Sequence, residues 1–244
     1  MNDTIKMLQN HMSIRKYKNK PVDGKIVDTI VQCAQAAPTS SNFQAYTIIE
    51  VRDGEKRKAL AEIAGGQQWV IEAPLVMLFC ADLNRGGKYY ENIDKEVLGN
   101  TECFTVAVID TALAMQKAFI AAQSLGLGGV VVGGIRNDVE TVAKLFRLPD
   151  MVAPLYLLCL GWPDESPGLK PRLPLDEIRK IDFYDDKDQD ALIEKYNSVM
   201  GEYYKGRNDS KKQTKWTDHC GQMLMAKPRY NVGLFFRQIG LLKK

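Results

Sequence analysis

The sequence is poor in the residues that announce most kinds of chemistry. Its five cysteines, at 33, 80, 103, 159 and 220, are odd in number and form no CxxC pair, which argues against a disulfide framework or a cysteine-ligated zinc site. Two histidines are too few for a histidine-rich metal site, and no HExxH occurs. No GxSxG is present, so a hydrolase nucleophile elbow is not expected. GxxxxGK[ST] is also missing. A dinucleotide fingerprint fails too: Gly126 and Gly128 are in phase, but Val131 stands where the third glycine belongs. The strongly apolar run Met151–Trp162 is interrupted by Pro154 and falls short of the ~20 residues a bilayer span needs. Met1-Asn2-Asp3-Thr4 opens no signal peptide, since no basic start precedes an apolar stretch. Together these features predict a reduced, cytoplasmic protein.

What is present is ordinary for a folded globular chain. The sequence has 244 residues, 45% hydrophobic and 26% charged, enough for one large domain or two small ones. The net charge of +3 hides an asymmetry. Residues 205–244 hold ten Lys or Arg against Asp209 and Asp218, so this tail carries +8 and the rest −5. A basic end suits an anionic ligand, a partner surface or nucleic acid.

Hydrophobic periodicity predicts helices over 4–10, 23–37 with Asp23 as N-cap, 53–65, 101–125, 137–148 and 187–204. Strands are expected at 46–52, 73–81, 129–135 and 154–161, and 82–99 reads as a polar loop, a candidate lid. The alternation predicts an α+β or α/β three-layer domain with a mixed sheet. The last segment, 216–244, is too small for a core of its own and should pack on the body or on another subunit.

Five groups of residues could hold a ligand, and each has a plain structural reading beside it. On an extended segment, alternation puts His11, Ser13 and Arg15 on one side, which suits a phosphate; a helix end followed by a solvated basic run reads equally. Lys170-Pro171-Arg172 holds two cations on extended backbone, as a phosphate grip or a surface loop. Thr39-Ser40-Ser41-Asn42 offers hydroxyls, or turn chemistry. Gly65-Gly66-Gln67 lets backbone approach a flat ligand, or caps a helix. Gly126–Gly134 makes a bare strand end, for close approach or a tight bend.

Their order and spacing are similar to those of a known family. His11-x-Ser13-Ile14-Arg15-x-Tyr17, Gly65-Gly66-Gln67, Cys80-Ala81-Asp82, Ser124–Val130, Val132–Asn137, Leu158–Pro163, Leu169–Pro174 and Trp216-Thr217-Asp218-His219 resemble, from end to end, the blocks of the FMN-dependent, NADPH-preferring oxygen-insensitive nitroreductase and flavin reductase group. The resemblance implies a nitroreductase-like sandwich, a four- to five-stranded sheet between helices, in an intertwined homodimer with FMN at the interface. It implies an FMN-binding core over 1–182 and a C-terminal extension over 183–244. FMN would be held by His11, Met12, Ser13, Ile14, Arg15, Lys170, Pro171 and Arg172 at the phosphate. Thr39, Ser40, Ser41, Gln67, Val131, Val132, Gly133 and Gly134 would lie along the rest of the cofactor. Thr39 stands where the group usually has Ser. Arg207 falls where the family places a cation for the NADPH 2′-phosphate, with Lys211 and Lys212 beside it. Glu102 and Arg229 would lie near the pocket.

The implied activity is hydride transfer from NADPH to flavin N5, then two-electron reduction of nitroaromatics or quinones by ping-pong turnover. No catalytic side chain is required. Three rivals share the sequence: a flavin reductase that releases reduced FMN to another enzyme, a nucleic-acid-binding protein acting through the basic tail, and a non-catalytic FMN carrier or regulator.

Overall fold

A computed structural model describes residues 2–205 and 215–243. Its elements in chain order are α1 (Asp3–Gln9), α2 (Gly24–Gln35), β1 (Tyr46–Glu50), α3 (Gly54–Ile63), α4 (Trp69–Glu72), β2 (Leu75–Asp82), α5 (Asn84–Tyr89), α6 (Lys95–Leu98), α7 (Thr101–Ser124), β3 (Gly128–Val132), α8 (Val139–Leu145), β4 (Val152–Gly161), α9 (Leu175–Ile178), α10 (Gln189–Lys205), α11 (Trp216–Ala226) and α12 (Tyr230–Gln238). Single 3-10 turns occur at Ser40–Asn42 and Gly133–Asp138.

Short polar side chains start the helices. Asn2, Asp23, Asp53, Asp94, Asn100 and Asp138 each accept from an amide of the first turn they precede. Those amides have no partner within the helix, so a cap contributes about 1 kcal/mol. The segment 82–99, read as a loop, instead carries α5 and α6, too short to show a helical period. The strand expected at 129–135 stops at Val132, because residues 133–138 wind into a 3-10 turn.

The sheet order is β1-β2-β4-β3, and every ladder in it is antiparallel. A mixed sheet was the expectation; among the described residues the parallel pairings are isolated bridges, Ser13 to Gly129 and Asn100 to Lys243. Apolar runs such as β2 mark burial on both faces but carry no strand direction, which explains the difference. Pro154 sits inside the central strand β4 opposite Cys80, where the register slips between Phe79 and Cys80, and this irregularity accommodates a residue that cannot donate to a ladder.

Two apolar layers sandwich this sheet. Val76, Leu78, Cys80, Leu157 and Cys159 pack with Leu60, Val70 and Val142 of α3, α4 and α8. Leu75, Met77, Phe79, Leu158 and Leu160 face Ile30 and Ala34 of α2 and Ala114, Ala118 and Ala122 of α7. The alanine row lets α7 approach the strands closely. By length and composition α7 could cross a membrane; its sheet-facing side lies in this core, while Ile109 and Leu113 are exposed.

The chain forms two compact units. The first runs to Pro167 and resumes at Arg229; the second is Gly168–Pro228. In the first, α12 buries Phe235 and Phe236, with Phe236 edge-on to Phe104 at 5.1 Å, so the end of the tail packs on the body as expected. The second holds its own small cluster, Tyr196, Met200 and Tyr204 with Trp216 against Tyr196 at 5.6 Å.

Candidate functional site

The segment after α1 is extended and lies along β3. Ser13 bridges Gly129, and the Ile14 amide donates to the Gly129 carbonyl at 2.9 Å. Ile14 is buried, and a Cβ on Gly128 would stand 2.6 Å from its side chain, so only glycine admits the strip this close. Tyr17 donates its hydroxyl to the Ile14 carbonyl at 2.8 Å, and burial raises its pKa, which keeps that donor protonated. The Glu165 carboxylate accepts from the amides of Arg15 and Lys16, at 2.5 and 3.1 Å. His11 stands edge-on to Phe119 at 5.2 Å, with Gln123 Nε2 3.3 Å from its Nδ1. The strip is thus fixed from three sides, while the Arg15 side chain remains exposed over the Trp69 ring at 5.4 Å.

The other end of β3 meets the turn after α3. Gly65 and Gly66 are left-handed, at φ 90° and 79°, and they return the chain so that Gln67 donates to the Ala64 carbonyl at 2.9 Å. Gly134 lies against Ala64: a Cβ there would stand 2.9 Å from its carbonyl oxygen. Asn137 ties these parts together, donating to the Ile63 carbonyl at 2.8 Å and accepting from Arg229 Nε at 2.9 Å. Arg136 donates to the Leu155 carbonyl, and burial first, then the Arg229 charge, lowers its pKa. β3 is an edge strand, so beyond the Gly129 bridge the outer backbone at Val131–Gly134 meets no further strand among the described residues.

Thr39, Ser40 and Ser41 belong to a turn that is left-handed at Ser41, Asn42 and Gln44, at φ 46°, 59° and 50°. Such backbone costs about 1 kcal/mol or more at each non-glycine position and persists only where its surroundings enforce it. Asp110 of α7 enforces it here: its Oδ1 accepts from the Ser40 amide at 3.1 Å and its Oδ2 from the Ala45 amide at 3.3 Å.

Lys170, Pro171 and Arg172 lie in the second unit. The Pro171 carbonyl accepts from the Tyr196 hydroxyl at 2.9 Å, and Lys170 Nζ sits 5.8 Å from the Tyr204 ring centre. No ion pair among the described residues involves Arg15, Lys170 or Arg172. Glu102 is exposed on the first turn of α7, with no hydrogen bond among the described residues to the other candidates. Arg207, Lys211 and Lys212 lie outside the described residues. Sequence reasoning missed Trp69, Asp110, Asn137 and Glu165 as support. Asp110 carried a signal, an acid in the middle of an apolar helix, and Asn137 closed one of the family-like blocks; Trp69 and Glu165 carried none.

A four-stranded antiparallel sheet between helices, with a phosphate-type strip along its glycine-rich edge strand, defines an α+β sandwich with a candidate ligand site at that edge. The chain belongs to the nitroreductase family: the family model matches residues 8–162, and its C-terminal domain matches 170–244. It is 39% identical to an oxygen-insensitive NADPH nitroreductase of Salmonella typhimurium over 94% of both chains. It is 38% identical to an FMN reductase (NADPH) of Bacillus subtilis over 100% of both. The solved structure of a nitroreductase from Bacillus subtilis superposes with a TM-score of 0.95 at 37% identity, covering 99% of this chain and 100% of that one.

Proposed function

We propose that this protein is an FMN-dependent oxidoreductase that takes reducing equivalents from NADPH and delivers two electrons to nitroaromatics, quinones or related acceptors. The observation that carries the reading is the His11–Arg15 strip, bound along the glycine edge of β3 and ending in an exposed guanidinium without a carboxylate partner among the described residues. The nitroreductase and FMN reductase named among its relatives support it.

The residues present fit FMN. An exposed cation and a serine hydroxyl suit a phosphate dianion. Left-handed glycines at 65 and 66 and the open backbone at 131–134 suit a flat ring edge. In this reading His11, Ser13 and Arg15 hold the phosphate, and Met12 and Ile14 anchor their backbone; in the second unit, Lys170 and Arg172 on either side of Pro171 are cations that suit a phosphate. Thr39, Ser40 and Ser41 offer hydroxyls and an amide to the cofactor. Gln67, Val131, Val132, Gly133 and Gly134 border the ring. The chemistry supplied when FMN is bound is the transfer of two electrons from NADPH to an acceptor. Arg229 and Arg136 add positive charge near the Gly133 turn and would favour a ligand that carries negative charge there. Glu102 is a residue of the pocket rim. No side chain is asked to act as a nucleophile. Donor and acceptor use the site in turn, so turnover is ping-pong. Arg207, assisted by Lys211 and Lys212, recognises the NADPH 2′-phosphate.

The working form we propose is a cytoplasmic homodimer, with an FMN core over 1–182 and the extension over 183–244 meeting the second subunit. The apolar residues Ile109 and Leu113 in the first unit, and Leu175, Ile178, Ile181, Phe183 and Tyr184 in the second, are exposed and suit such an interface. A flavin reductase role uses the same residues, and release of free reduced flavin during turnover separates the two readings.

The deciding experiment is the visible spectrum of the purified protein before and after NADPH under argon. Flavin bands that bleach are expected. A colourless protein that takes up no added FMN would overturn the reading.

A further inference from the structure

Asp110 is the one buried carboxylate among the described residues, 1% exposed on the sheet-facing side of α7 between Ala107 and Ala114. The helix has no use for it: its neighbours there are alanines, and an apolar residue would continue the core. Both of its oxygens are instead committed outside the helix, to the amides of Ser40 and Ala45, the two ends of the left-handed turn. A burial this complete is costly for an acid unless its bonds do something an apolar side chain cannot. Here they close the 40–45 segment into a ring of fixed shape, with Ser41, Asn42 and Gln44 held at positive φ inside it. Arg85 also holds this segment, donating to the Gln44 carbonyl at 3.1 Å.

We propose that Asp110 is a positioning residue of the flavin site, setting the backbone that presents Thr39, Ser40 and Ser41 to the cofactor. The inference rests on the reading that this turn contacts FMN. Without the carboxylate the turn relaxes toward ordinary φ values, and the hydroxyls leave the places where they are needed together.

The test is a double-mutant cycle on FMN binding to the apoprotein, read by flavin fluorescence, with the visible circular dichroism of the bound flavin as a second signal. The variants are Asp110→Ala, Asp110→Asn, Ser41→Ala and the two pairwise combinations. Asp110→Ala is expected to weaken FMN about 10-fold or more. Asp110→Asn retains one acceptor oxygen and should recover part of the affinity and part of the dichroism. The decisive quantity is the coupling: Ser41→Ala weakens binding in the wild-type background and causes little further loss once Asp110 is replaced. Independent losses that multiply, or unchanged affinity in a folded Asp110→Ala, overturn the proposal. If Asp110→Ala does not fold, the Asp110→Asn cycle is decided by the same coupling. A wild-type protein that binds no FMN sinks the flavin reading and this inference with it, whereas tight wild-type binding with multiplying losses sinks this inference alone.

Discussion

Replacing Arg15 with alanine separates the proposed phosphate contact from the fold. The guanidinium is exposed, has no ion pair among the described residues, and touches the Trp69 ring and the Ser13 carbonyl, the latter at a long 3.4 Å. The strip itself is held by backbone bonds to Gly129 and Glu165 that the substitution leaves in place. Loss of an exposed cation–π contact costs the apoprotein about 0.5–1 kcal/mol. Loss of a charge-assisted bond to phosphate costs binding about 1.5–3 kcal/mol. That binding cost corresponds to FMN dissociation roughly 10- to 150-fold weaker. Arg15→Lys keeps the charge without the bidentate geometry and should fall between. The assay is fluorescence titration of apoprotein with FMN, with thermal melts of each apoprotein alongside. The reasoning is refuted if Arg15→Ala purifies fully loaded with wild-type affinity. A collapse of the apoprotein melt would also refute it, because the guanidinium would then be structural.

Other perturbations probe separate parts of the argument. Arg207→Ala should raise the Michaelis constant for NADPH and leave that for NADH nearly unchanged, since a lost phosphate contact of about 1.5–3 kcal/mol exists for NADPH alone; equal effects remove Arg207 from that role. Gly134→Ala drives a Cβ to within 2.9 Å of the Ala64 carbonyl. Forcing apart the Gly133–Asp138 turn and the turn after α3 should cost about 1–3 kcal/mol and lower the melting midpoint; an unchanged midpoint would show that the turns are not in contact. Burial pushes the Cys80 and Cys159 thiols up to about 12, so both should resist Ellman's reagent at pH 8 until denaturant is added. Because their folded pKa values are raised, the stability they contribute is present below about 8.5 and is lost as pH rises toward the folded values, by up to ~1.4 kcal/mol per unit per thiol. Urea midpoints that are equal at pH 8 and pH 10 would contradict this.

How far the site could be read depends on where its information resides. Residues that bear chemistry in their own side chains, such as His11, Ser13 and Arg15, stood out as a spaced group, and the glycines at 65, 66, 133 and 134 stood out because glycine is informative wherever backbone comes close. Asp23 was legible as a cap because capping is local, settled within three residues. Supporting partners were not legible. Glu165 holds the amides of residues 15 and 16 across about 150 positions of sequence, and Asp110 holds a turn about 70 positions earlier.

The sequence by itself determined the helices with strong periods, the two-faced burial of the central strands and the family resemblance, and it marked the candidate cations and glycines. Tertiary structure alone decided the antiparallel ladders, the bridge that lays the His11–Arg15 strip on Gly129, the short helices within 82–99, and the carboxylate that enforces the 40–45 turn. The physical reason is range. Periodicity, capping and turn chemistry act between near neighbours and leave their mark in order along the chain. Strand direction, close backbone approach and a buried acid's choice of amides are settled between segments that meet only after the core has closed.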